Sequence, residues 1–305
     1  MRLRLLMLLF LGLAGSGFAR PPSSDRLFKH GVDAFYATNW ARADSSFNAL
    51  MRSHPDDPRA YFFSSMIPFW AYFFGGNEPV HADAFLKRSE RAIAVAQKRL
   101  DAAPADTSTV LLLSGLHGYR SLVAASEKEY RVAIGSGVKG YSFTKRLMEY
   151  GQDNPNALMG QGVFHYMVGT VPGEIRWMAT LAGLSGDKNT GLRYLSRVAS
   201  SDSDARYDAI MILAFLMERE GRPEEALRYL GWMRRSYPEN VLALYHQSRL
   251  LESQGRMQEA RAGYLKVMQT RQPEFSFIRS ESRKKAAQLA GYVSPQRSGT
   301  PIHRP

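Results

Sequence analysis

Apolar residues recur along this chain at intervals of three and four, and no segment alternates cleanly with β-branched residues. That pattern predicts helices throughout and no strands. The clearest unit is "DAIMILAFLMEREGRPEEALRYLGWMRRSYPEN". Ala214 sits in one apolar helical run and Gly221 breaks it. Ala226 and Leu230 sit in a second run, and Pro238 ends the unit. The layout returns 34 residues later with Ser248, Gly255, Ala260 and Tyr264, and Pro273 falls one residue late. Near the N-terminus, Gly31, Ala43, Phe47 and Pro55 fit the same scheme. Two antiparallel helices approach closely only where one presents a small side chain to the other. The proline cannot continue the second helix. The chain therefore reads as a series of helical hairpins.

Anchoring each unit on its small first-helix residue gives Gly31, Ser65, Gly115, Gly162, Ala214 and Ser248, with spacings of 34, 50, 47, 52 and 34. The three middle spacings are long, which predicts lengthened or added helices rather than bare loops. The second unit carries the stretch "AYFFSSMIPFWAYFFGG". It is too short for a membrane span, holds Pro68 and lies in phase with the first unit. Ser65 is then the small contact, and the aromatic residues belong to a core or a binding face. "FIRSESRKKAAQLAGY" suits a final capping helix.

The small residue, the following small residue, the aromatic and the closing proline resemble the tetratricopeptide repeat (TPR) family. The resemblance covers residues 24 to 275. Gly160, Gly162, Tyr166, Gly169 and Pro172, followed by Gly186, Asp187 and Gly191, look like a bacterial group of exported TPR proteins. They are also weakly similar to the tetratricopeptide-39 type of eukaryotes, which is associated with mitochondrial outer membrane and lipid-droplet surfaces. The resemblance implies an all-α, right-handed solenoid of αα-hairpins with elongated middle repeats. It also implies scaffolding and partner binding without reaction chemistry, on a concave face lined by each first helix. Carried over unit by unit, that face holds Phe35 and Tyr36, then Phe62, Met66, Phe69 and Trp70. It continues with Leu116, Tyr119 and Arg120, then Met159, Tyr166 and Met167, and finally Phe215. Such a groove departs from the Lys, Asn and Arg pattern of members that clamp a peptide carboxylate. Two states of the groove stay open. It is accessible to a guest, or it is filled by a short helix read at "VPGEIRWMATLAGL" or by the long middle helices.

Composition narrows the setting. The 305 residues are 45% hydrophobic and 22% charged, enough for a packed core. Cysteine is absent, which excludes disulfides, thiolate chemistry and a lipoprotein anchor. Arg2 and Arg4 precede an apolar run from Leu5 to Phe18, and Gly17 and Ala19 suit a signal peptidase. Residues 1–19 thus read as a signal peptide, residues 20–292 as the solenoid and residues 293–305 as a disordered tail. The expected location is the periplasm or envelope of a bacterium. The net charge of +12 is scattered along the helices, and export argues against nucleic acid. The densest basic part is Arg279, Arg283, Lys284, Lys285, Arg297 and Arg304, which suits an anionic membrane surface. The expected partner is a protein or peptide; the alternative is a lipid or other apolar ligand.

Reaction chemistry is not evident. The seven histidines include no HExxH pair. His117 and His165 read as interior or groove-rim histidines. "GSGVKG" at 135–140 reads as a break before a helix, and Asp187 as a helix cap. No catalytic residue, metal site or cofactor is predicted, and the protein is expected not to be an enzyme.

Overall fold

The computed structural model describes residues 24–149, 155–171, 173, 177, 185–203 and 205–291. The segments read above as a signal peptide (1–19) and a tail (293–305), and almost all of the 172–184 insertion, lie outside them. Among the described residues there are helices and no strands. The first hairpin is α1 (Ser24–Tyr36) and α2 (Trp40–Ser53). The next are α3 (Pro58–Gly75) with α4 (Pro79–Ala102), and α5 (Thr107–Ser126) with α6 (Tyr130–Glu149). Then come α7 (Pro155–Gly169) with α8 (Lys188–Ala199), and α9 (Arg206–Arg219) with α10 (Pro223–Ser236). The last pair is α11 (Val241–Ser253) and α12 (Met257–Val267), on which α13 (Ser276–Gln288) packs. Each helix packs most heavily on its hairpin mate. The protein is an all-α, TPR-like solenoid.

Local chemistry sets the elements. Asp57, Asp106, Asp187 and Asn240 each accept a backbone N–H from the first turn of α3, α5, α8 and α11. Such caps satisfy N–H groups that have no partner within the helix. Gly221 and Gly255 make the hairpin turns at φ 69° and 76°, a region that only glycine enters freely. The extra length of the second and third units lies in their helices. α4 has 24 residues and α5 and α6 have 20 each, against 13 and 14 in the first hairpin.

The aromatic stretch becomes α3, buried on almost every side. Pro68 lies inside it and has no N–H to give the carbonyl of Ser64. Arg88 of α4 repairs the gap: its Nη1 donates to that carbonyl at 2.9 Å. None of the described helices is long and apolar enough to cross a membrane.

The small contacts hold at both ends of the array. A Cβ on Gly31 would come within 2.4 Å of the Phe47 ring, and one on Gly263 within 2.0 Å of Ser248 Oγ. The third unit differs from the sequence reading. Gly115 faces Phe62 of α3, not α6. The small residues of α5 that meet α6 are Ser114, Gly118 and Ser121, set against Thr144, Gly140 and Gly137. Gly135 to Gly140 are therefore not a break before a helix; they lie within α6, where Gly140 packs on the Gly118 backbone.

The ends of the array touch. Asn240 Nδ2 donates to the Tyr36 carbonyl at 2.7 Å, and Val241 N to Thr38 Oγ1 at 3.0 Å. Gln272 accepts from Trp40 N at 2.8 Å and donates to the Thr38 carbonyl at 2.6 Å. The Trp40 and Phe275 rings lie 4.6 Å apart. The superhelix thus closes on its own concave face.

Candidate functional site

Closure decides where the predicted groove residues go. Phe35 and Tyr36 are buried against Trp70, with ring centroids 4.9 and 5.8 Å away. Tyr36 also packs on Tyr207 and Tyr237 of the far end, at 5.1 and 5.6 Å. Met66 and Leu116 are buried in the core. Arg120 does not face the groove: its Nη1 donates to the Leu86 carbonyl at 2.6 Å, and its Nη2 pairs with Glu90 at 2.8 Å, both on α4. Its placement follows from the misplaced anchor at Gly115, since the α6-facing side of α5 runs through Gly118.

The remaining residues gather around two adjoining cavities. The first has a volume of about 240 Å³ and lies between α3, α5, α6, α7 and the start of α9; Phe62, Tyr119, Met159 and Met167 line it. The second, about 420 Å³, lies between α3, α5, α7 and α9; Phe69, Tyr119, Tyr166, Met167 and Phe215 line it. Both share Tyr119, Leu122, Val163 and Met167. Of the thirteen predicted residues, Met167 is the large hydrophobic one left exposed, at 40%.

The first cavity owes its space to glycine. Gly115, Gly118, Gly137, Gly140 and Gly160 all line it from within helices. Glycine inside a helix costs about 0.5–1 kcal/mol relative to alanine. A Cβ on Gly118 would meet nothing within 4 Å. Several hydroxyls in the wall are already spent. Ser114 and Thr144 bond each other at 2.8 Å, and Ser121 donates to the Ala133 carbonyl at 2.8 Å.

Among the described residues, one charged side chain lines this cavity: Asp208, in the first turn of α9. Its Oδ2 accepts from the Tyr36 hydroxyl at 2.8 Å. Burial raises its pKa to about 6, although hydrogen bonds from Tyr36 and Trp70 favour the charged form. Burial and the Asp208 charge together push the Tyr36 hydroxyl well above its ordinary value. Sequence reasoning missed Asp208, because an acidic residue at a helix start also satisfies the helix dipole.

Two histidines hold structural places. His117 stacks on Phe143 at 5.9 Å, and burial lowers its pKa to about 4. His246 Nε2 lies 2.9 Å from the Phe74 carbonyl, and burial likewise lowers its pKa to about 4. Asp187 caps α8, accepting from Thr190 N at 2.7 Å. The basic C-terminal residues make internal bonds: Lys284 to Glu281, Lys285 to Glu252, and Arg279 to the Thr270 carbonyl. Arg297 and Arg304 lie outside the described residues. Among the described residues, no three His, Asp or Glu side chains cluster as metal ligands would.

Residues 154–278, from the start of the fourth hairpin into α13, match the family model Iml2/Tetratricopeptide repeat protein 39. No curated protein matches the chain. A tetratricopeptide repeat protein from Parabacteroides merdae ATCC 43184 is 12% identical, over 87% of this chain and 98% of that one, with a TM-score of 0.38. The P58(IPK) TPR domain is 14% identical, over 89% and 100%, with a TM-score of 0.28. Scores this low carry no argument, and the fold rests on the helix pairing described above. The chain is TPR-like, with weak similarity to the tetratricopeptide-39 type in its second half. Folds of this kind generally serve as protein-interaction scaffolds.

Proposed function

We propose that the protein is an exported, non-enzymatic scaffold whose ligand site is the pair of apolar cavities between the second, third, fourth and fifth hairpins. The observation that carries this reading is the fate of the concave face. Its first-unit aromatics are consumed in closing the superhelix, and what stays open is a cavity rather than a channel for an extended peptide. Together the two volumes fall in the range of about 300–1,000 Å³ usual for small-molecule sites. The guest is an apolar small molecule or lipid chain. The basic n-region, apolar run and small residues before position 20 support export to a bacterial periplasm or envelope.

The test is a fluorescence titration with the neutral probe N-phenyl-1-naphthylamine. Saturable binding of one probe per chain is expected. Gly118→Leu, which projects into open space, should weaken it at least about tenfold while the helical circular dichroism is retained. Unchanged binding in that variant would remove the cavity as the site.

A second reading, partner binding on the outer surface, is favoured by α6. Tyr130, Ile134 and Val138 stand one turn apart there, 63–69% exposed. A photo-crosslinker at position 134 that captures a protein in living cells would support it, and one that captures none would remove it.

A further inference from the structure

Asp208 is a half-buried acid in the wall of an apolar cavity. Among the described residues, no Lys, Arg or His forms an ion pair with it. A carboxylate offers about four acceptor sites. Tyr36 takes one, so acceptor capacity remains. The wall around it is apolar or self-satisfied, as the Ser114–Thr144 pair shows.

A buried charge costs free energy unless it is paired and hydrogen-bonded. An anionic guest would add a like charge and raise that cost. A neutral guest would leave it unchanged. A cationic guest would offset it, and its apolar part would cover Phe62, Met159, Val163 and Phe164. We infer that the guest is a small amphiphile with a protonated amine at the end of an apolar chain, and that Asp208 receives the amine. This rests on the cavity being the ligand site and adds the chemistry of its occupant. The apolar end lies toward Tyr119, Leu122, Val163 and Met167, where the second cavity begins. Tyr36 acts as a positioning residue that holds the carboxylate in place.

The experiment compares decylamine, decanol and decanoate by isothermal titration of the purified protein at pH 7.5. Decylamine should bind at least about tenfold more tightly than either of the others, the scale of one charge-assisted hydrogen bond. In Asp208→Asn, decylamine should fall to within about twofold of decanol, and decanol should keep its affinity. The exposed Asp83 serves as a control. Asp83→Asn should preserve the amine preference, and loss of the preference there would reduce it to bulk charge attraction and overturn the inference. A preference that survives in Asp208→Asn would overturn it as well. Decanol binding as tightly as decylamine would overturn the role of Asp208 and leave the cavity standing as an apolar site. Failure of all three ligands and of the naphthylamine probe would remove the cavity itself.

Discussion

Where the first hairpin meets the second, and the second meets the fifth, large rings do the packing. Phe35, Tyr36, Phe63 and Trp70 interlock at 4.9–6.2 Å, and Phe73 reaches Phe215 at 5.2 Å. Two hairpins further along, α5 meets α6 through Ser114, Gly118 and Ser121. Both regions bury helix faces, but with opposite results. Rings fill the space between neighbouring helices and close it. Small residues draw two backbones together within one hairpin and leave nothing to fill the space beside it. The cavity is the remainder of that second style of packing.

The largest test of the contrast is Trp70→Ala. A truncation of this kind in a full core costs about 3–5 kcal/mol, read as a lower urea midpoint. Trp70 is 1% exposed, so little relaxation is available.

Next comes a pair of opposite pH effects. Asp208 has its pKa raised to about 6, so between its unfolded value and about pH 6 the folded state binds more protons than the unfolded one. Stability from this group is therefore present at low pH and lost as pH rises through about 6. Asp208→Asn should raise the melting temperature at pH 7.5, by about 1–3 kcal/mol of stability, and change it little near pH 4. His246 runs the other way. Its lowered pKa means the folded state binds fewer protons between about pH 6.5 and 4. Stability is lost as pH falls through that window, and His246→Gln should flatten the loss. The check is a set of melts from pH 4 to 8. A parallel response of the two variants would break the contrast between cavity and seam.

Within the small-residue crossing, two glycines only 22 positions apart should respond with opposite sign. Gly140→Val places a Cβ 3.0 Å from the Gly118 backbone and should cost about 1–3 kcal/mol in a urea melt. Gly118→Ala meets no neighbour and should gain about 0.5–1 kcal/mol. The smallest effect is expected from Ile134→Asp on the outer face, within about 0.5 kcal/mol.

The hairpin order was readable because it is local. Gly221 and Gly255 mark turns 34 residues apart, and Gly31 and Ser248 mark close crossings within the first and last hairpins. The third unit misled because Ser114, Gly115, Gly118 and Ser121 offer several small residues on neighbouring faces of one helix. Choosing Gly115 rotated the assignment and put Arg120 in the groove when it bonds to α4. The seam left no periodic trace, since its contacts join residues about 200 positions apart, such as Tyr36 and Asn240. Asp208 gains its character only from that seam, which sets it against the Tyr36 hydroxyl at 2.8 Å.

Helical repeat arrays are ordinarily quasi-one-dimensional: each unit touches only its neighbours, and stability sums along the row. The contacts of Tyr36, Thr38 and Trp40 with Asn240, Val241 and Gln272 join the two ends of the described row. Its repeat number is thereby fixed, because inserting or deleting one hairpin would carry the two ends out of register. Cutting the chain at the exposed Gly221 turn should therefore leave the two halves held together through this seam.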